Sequence, residues 1–364
     1  MPISAVDAIP LAFQHTRQQL FQPFRFWQWT KLAVVGLLAG ELGSGGGFNG
    51  SNFNFPHQPS TQRQFMDLPW SGIDPAVVGA LIAVLVIAAL VFGIILMYIS
   101  SVMRFVLFDS VMAKECHIRA GWSRRQGTGL RYFLWQLVYL LVTMAGLILL
   151  VGIPAGFAFA LGWFKEPREH ILALVLGGII LFLLLLIFFV SMAVIFVLTK
   201  DFVVPQMALE EISVMEGWRR LWPMIEAEKA RYAGYIGMKI LMAIGAGIVV
   251  GIAALILGLL VAIPTIGLSI LAVLTGKSAG LTWNVYTITL AVVIGIILLA
   301  IFLYMIALLS VPVIVFFPAY SIYFFAARYP ALSAALYPAA VAPTPFLYTP
   351  QQPPPLPPAP EPAG

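Results

Sequence analysis

Six stretches of this sequence, approximately residues 26–43, 76–103, 133–161, 171–199, 233–263 and 285–317, are apolar over nearly or more than the ~20 residues that a helix needs to cross a bilayer. No soluble core accommodates so many such runs. The first is the least apolar, with Lys31 and Glu41 near its ends. The composition agrees: 61% of the 364 residues are hydrophobic and 10% are charged, where a soluble domain carries about a quarter charged residues. The sequence therefore predicts an all-α, polytopic transmembrane helix bundle of about six spans, one membrane domain over residues 26–329.

Lysine and arginine are distributed unevenly about these spans. Six crossings put the N-terminal segment, the 104–132 loop, the 200–232 loop and the tail on one side, with 16 of the 20 basic residues, counting Lys239 as able to snorkel there. Only Arg63, Lys165, Arg168 and Lys277 fall on the other. The positive-inside rule then places both termini and the charged loops in the cytoplasm. The first 21 residues lack a basic n-region, an apolar run and a small-residue cleavage site, so the first apolar segment is expected to remain in the mature protein. The net charge of +5 sits beside spans, which points to anionic lipid and away from nucleic acid.

Residues 44–75, rich in Gly, Asn, Ser and Phe, show no helical period and predict a flexible outer loop. Residues 330–364 end in QQPPPLPPAPEPAG and predict a Pro-rich disordered cytoplasmic tail. Residues 1–25 predict a cytoplasmic amphipathic segment, with Phe13, Leu20, Phe21 and Phe24 on its apolar side.

The charged loops repeat one another. "FVLF-D", ending at Asp109, and "FVLTKD", ending at Asp201, each close a span. Gly121-Trp122 with Arg124-Arg125 follows the first, and Gly217-Trp218 with Arg219-Arg220 the second. Each loop exits through Arg-Tyr, at Arg131 and Arg231, into a long apolar helix that reaches "VGIP" at Pro154 or "VAIP" at Pro264. Four short matches in one order predict an imperfect internal repeat of two spans. In the second copy, Ser213-x-x-Glu216 has the capping-box spacing. Val214, Trp218, Leu221 and Ile225 share a helical face, and Pro223 predicts a kink. These features describe an interfacial amphipathic elbow with tryptophans inward and cations toward lipid phosphates. The candidate lipid- or partner-contacting residues are Trp122, Arg124, Arg125, Arg131, Trp218, Arg219, Arg220, Lys229 and Arg231. Asp109, Gly121, Pro154, Asp201, Pro205, Gly217 and Pro264 are the candidate structural positions of the repeat.

The stretch DFVVPQMALEEISVMEGWRRLWPMI resembles the membrane domains found beside glycerophosphodiester phosphodiesterases, and related bacterial six-helix families of unknown function. Asp201, Pro205, Glu211, Ser213, Gly217 and Trp218 carry the resemblance, which covers mainly residues 100–265. The first copy keeps Asp109, Gly121 and Trp122 and lacks the proline. The resemblance implies a shared membrane fold and, with the single cysteine, a cell inner membrane of bacterial type; the phosphodiesterase's soluble catalytic domain is not in this sequence, so no such activity is implied.

No residue pattern here carries catalysis. His15, His57, His117 and His170 stand apart, and Cys116 is the single cysteine, so neither a metal set nor a cofactor is expected. The spans hold almost no ionisable residues, with Lys239 read as snorkelling and Glu41 as near an outer end. The expectation is a non-catalytic membrane protein contacting lipid headgroups or scaffolding a cytoplasmic or membrane protein partner. Two alternatives stand beside it: a transporter or flippase for an amphiphilic small molecule, working at the proline breaks, and an accessory subunit of a separately encoded enzyme.

Overall fold

The computed structural model describes residues 3–41, 74–163, 168–278 and 285–337. Every regular element in these residues is helical: α1 (Ala8–Phe21), α2 (Phe26–Leu38), α3 (Pro75–Ala113), α4 (Ile118–Leu147), α5 (Ile153–Ala160), α6 (Ile171–Leu198), α7 (Val204–Glu210), α8 (Val214–Ala227), α9 (Lys229–Ser278), α10 (Val285–Leu309), α11 (Val311–Ala326) and α12 (Pro330–Leu336). A π-helical turn, Ile148–Gly152, joins α4 to α5, and a second, Thr199–Val203, joins α6 to α7.

Five helical stretches are long and apolar enough to cross a membrane: Ala76–Ala113, Ile118–Ala160, Ile171–Glu210, Lys229–Gly276 and Tyr286–Ala326. The sixth candidate differs from its expectation. Its helix α2 has 13 residues, about 20 Å at 1.5 Å per residue, against a hydrocarbon core of about 30 Å. The other helices run past their apolar windows. The expected loops 104–132 and 200–232 are mostly helical, broken only around 114–117, 211–213 and Glu228. Their apolar residues find protein partners there and so need no irregular connection.

Burial divides the molecule into two zones along the helix axes. Toward one end the spans show Leu, Ile, Val and Phe outward, as at Val84, Leu90, Phe182, Ile256 and Leu290. In water this would be untenable, whereas lipid tails are as apolar as the side chains themselves. Toward the other end everything closes into one core, with Phe105, Tyr132, Phe202, Met207, Leu221, Tyr235, Tyr320, Phe324 and Phe325 all fully enclosed. We call this packed half the head. The N-terminal helix α1 packs along α11, and α2 packs between α3, α10 and α11. Close approach demands glycine at Gly36, where a Cβ would come within 2.5 Å of Ile314. A Cβ at Gly156 or Gly251, by contrast, would meet no atom within 4 Å.

The described chain ends both belong to the head. The outer loop expected over 44–75 lies outside the described residues except for Asp74 and Pro75, where Asp74 caps α3 by accepting the Ala76 N–H at 2.9 Å. The first residues of the expected tail are helical: α12 covers them and buries Leu332, and residues from 338 lie outside the described residues. Arg328 ties three chain segments together. It lies 2.7 Å from Glu228 Oε2, donates to the Ile3 carbonyl at 3.2 Å and stacks 4.0 Å over Phe324.

His15 pins α1 to this core. Its Nε2 lies 2.9 Å from the Val111 carbonyl and its Nδ1 3.1 Å from the Tyr323 hydroxyl. A neutral ring satisfies both, donating to the carbonyl and accepting from the phenol. Burial pushes the imidazole below its ordinary 6.5, only partly offset by the Val111 bond, and the Lys114 charge lowers it further. A histidine depressed in the folded state contributes stability above its unfolded value, which is lost as the pH falls. Thermal melts of the detergent-solubilised protein should therefore fall between pH 7.5 and pH 5.5, and His15→Gln should flatten that dependence; an unchanged slope in the variant would remove His15 as its source.

Candidate functional site

The positions that mark a site were not the elbow cations. Arg104 lies nine residues before the end of α3, Lys200 ten before the end of α7, and Lys239 ten after the start of α9. All three thus sit about 15 Å in from the charged end, where the exposed apolar zone gives way to the head. Glu41, just beyond α2, and Asp201 complete the set. Glu41, Arg104, Asp201 and Lys239 are buried, and the Lys200 side chain is 9% exposed.

The π-helical turn explains how two neighbouring residues serve this layer. Thr199–Val203 widens the helix by one residue before Pro205, which has no N–H to donate. Lys200 there bonds Glu41, and Asp201 bonds Lys239. Tyr235 donates a further bond to Asp201 Oδ2 at 3.0 Å. Arg104 spends Nη2 on the Ala39 carbonyl at 2.9 Å and Nη1 on the Tyr132 hydroxyl at 3.3 Å, and its guanidinium lies 5.5 Å from the Tyr132 and Phe196 ring centres. Its Nε is buried without a hydrogen-bond partner. Arg104, Lys200, Glu41 and Asp201 line a cavity of about 30 Å³, room for one or two waters, and Lys239 bonds Asp201 as the third cation of the layer. The reading of Lys239 as snorkelling and Glu41 as near an outer end is corrected here: both turn inward, because each finds an opposite charge there. The sequence pattern marks Arg104 and Lys200 only as loop cations. The usable sequence signal was their common distance from the charged end.

The elbow candidates divide. Arg125 is buried and forms a bidentate pair with Asp109 at 2.7 Å and 2.7 Å, while Arg124 is exposed and 4.0 Å from the same carboxylate. Gly121, Trp122 and both arginines belong to the first turns of a continuous α4, so the first copy has no separate elbow. Trp122 is half-buried with its ring edge-on to Tyr98. Arg131 donates to the Glu211 carbonyl.

The second copy does form its own helix. Ser213 caps α8 by accepting the Glu216 N–H at 3.3 Å. The Glu216 carboxylate does not close the capping box; it binds Arg219 and Arg220 instead. Those two arginines hold it below the usual carboxylate range, Arg220 most of all. Val214 and Leu221 are buried, with Trp218 and Ile225 packed against the core, as the face pattern predicts. Trp218 donates to Thr199 Oγ1 at 3.0 Å. Pro223 sits inside α8, and the break comes later, at Glu228. Gly217 allows α8 to meet Val203, which a Cβ would approach to 2.7 Å. Arg220 also binds Glu210, Arg231 binds Glu228, and Lys229 is exposed. Pro154 and Pro264 are both exposed in the apolar zone, Pro264 within an unbroken helix.

A family model described as a family of unknown function, DUF7544, matches residues 3–335, and the chain belongs to that family. No curated protein and no solved structure matches it.

Removing one partner of a buried ion pair strands the other, at a cost of about 3–5 kcal/mol. Lys239→Met should destabilise the protein on that scale in chemical denaturation, and adding Asp201→Asn should recover a substantial part. A double-variant loss equal to the sum of the losses of Lys239→Met and Asp201→Asn alone would show that the pair is not coupled.

Proposed function

We propose that this DUF7544 member is a non-catalytic multi-pass membrane protein whose head rests on the cytoplasmic face of an inner membrane and binds lipid headgroups there. One observation carries the reading: the head exposes both cations and aromatic rings. Arg17, Arg119, Arg124, Arg131 and Lys229 are exposed, and so are Phe13, Phe21, Phe24, Phe26, Trp27 and Trp222. Cations near anionic lipid each contribute about 1 kcal/mol, and aromatic rings favour the interfacial depth. The resemblance to membrane domains beside glycerophosphodiester phosphodiesterases supports a membrane role without supplying an activity.

A carrier for an amphiphilic anion is the second reading, favoured by the buried charged layer, since ionisable groups within helical spans are expensive and commonly used. That reading moves from the proline breaks to Arg104, Lys200 and Lys239. A scaffolding role would use the same head surface for a protein partner.

Native mass spectrometry in mild detergent tests the lipid reading. The triple variant Arg124→Gln, Arg131→Gln, Lys229→Gln should retain fewer anionic lipids than the parent. Arg219→Gln with Arg220→Gln should matter less, because Glu216 and Glu210 already hold those charges. Unchanged lipid retention in a folded triple variant would sink the proposal, and transport assays with an Arg104→Gln variant would take its place.

A further inference from the structure

The turn between α1 and α2 reads FQPFRFWQ over residues 21–28. Its two kinds of side chain go different ways. Phe21, Phe24, Phe26 and Trp27 are all more than half exposed. Gln22, Arg25 and Gln28 instead line an open recess of about 440 Å³, whose opposite wall is the end of α3 at Lys114 and Glu115. That volume is typical of small-molecule sites.

The recess wall is ordered by its own contacts. Lys114 adopts a left-handed conformation at the end of α3, with φ of 57°. Its Nζ donates to Gln18 Oε1 at 2.9 Å, and its carbonyl accepts from Gln28 at 2.7 Å. Arg25 lies 3.4 Å from Glu115, and both are more than half exposed, so this pair is loose. Gln19 also lines the recess and is 4% exposed. Its amide nitrogen donates to the Ser110 carbonyl at 2.8 Å, while its Oε1 is buried with no partner. The nearby His15, whose pKa a contact with Gln19 helps to raise, directs its Nε2 at the Val111 carbonyl. The wall thus offers two cations and one carboxylate, several carboxamides and an unspent buried acceptor.

We propose that this recess binds a phosphodiester headgroup bearing free hydroxyls, presented by a membrane phospholipid; the proposal rests on the reading that the head lies on lipid. Arg25 and Lys114 match the phosphate, Arg25 with a planar fork of donors. Carboxamides both donate to and accept from hydroxyls, and a hydroxyl proton is what Gln19 Oε1 lacks. The four exposed rings identify the source. A free polyol phosphate would use the polar wall and gain nothing from rings that are more than half exposed. Thr30, one turn further on, bonds Tyr304 at 2.9 Å on the outward face of α10, so the turn adjoins the apolar zone and a headgroup here can keep its chains in the bilayer.

The test is native mass spectrometry of the full chain titrated separately with phosphatidylglycerol, phosphatidylethanolamine and soluble glycerol 3-phosphate. Phosphatidylglycerol should bind about tenfold more tightly than phosphatidylethanolamine, which has no hydroxyls, with glycerol 3-phosphate weaker still. Arg25→Gln with Gln28→Leu should remove that preference while leaving the melting temperature and the total of loosely held lipid unchanged. Lys114→Gly, which keeps the left-handed cap and deletes the ammonium, should do the same. Equal binding of the two lipids by the parent, or a preference that survives in both folded variants, would overturn the proposal. Glycerol 3-phosphate binding as tightly as the lipid would overturn the lipid source. Loss of all lipid from the parent would defeat the broader lipid reading, whereas loss of selectivity alone defeats only this site.

Discussion

Two buried ion pairs, Glu41 with Lys200 and Asp201 with Lys239, hold the relation between the spans and the head. Ions removed from water cost several kcal/mol each unless their partners are placed well. That penalty makes the arrangement intolerant of slippage: sliding α9 by one turn along α6 would move Lys239 about 5.4 Å from Asp201. The pairs link the end of α2 to the α6–α7 junction, and that junction to α9. The apolar zone offers no such register, because leucines packing on leucines, or on lipid, are nearly interchangeable. Specific geometry is therefore concentrated in the head, and the aromatic cluster of Phe202, Tyr235, Tyr320 and Phe324 closes around it, with Tyr235 stacked on Tyr320 at 5.1 Å.

The long apolar helices and the buried face of α8 were legible in the sequence because both depend on local patterns, one on length and the other on a spacing of three and four. The charged layer was not, for a physical reason. Its residues come from four separated segments, and each stands near the edge of an apolar window, where an isolated lysine or glutamate has a satisfactory local explanation in reaching out to the interface. Only pairing makes the inward direction cheaper, and pairing is a tertiary fact. The shortness of α2 was hidden similarly. Its composition continues to Glu41, but its last residues turn toward Arg104 and Lys200 rather than extending the helix.

The repeat shows how similar words acquire different structures. Asp109 and Asp201 both take a cation, yet Asp109 takes Arg125 from the next helix's first turns and Asp201 takes Lys239 from deep within α9. The second copy has Pro205 and a π-helical turn, which displace its aspartate, and a separate α8 that fills the space so created. The first copy has neither, and its glycine and tryptophan ride on a continuous helix. The matching Arg pairs consequently separate: Arg125 goes inward, while Arg219 and Arg220 lie on the surface among carboxylates.

Arg104 distinguishes the layer from an ordinary structural clasp, since it is the third cation for two carboxylates and is stabilised by a carbonyl, a phenol and two ring faces. Such contacts favour a guanidinium over an ammonium, which lacks the flat face and is more strongly hydrated. The space beside it nevertheless admits little more than water, so a phospholipid headgroup has no place there in this conformation. The polar recess at the α1–α2 turn has the opposite balance, with ample room and loosely held charges. One region keeps the head in register at the cost of buried charge, and the other leaves its cations available. A head organised this way needs no movement of the charged layer to meet a lipid, whereas a carrier would have to open Arg104 to the bilayer by separating α2 from α3, breaking the bond from Arg104 to Ala39 as it did so.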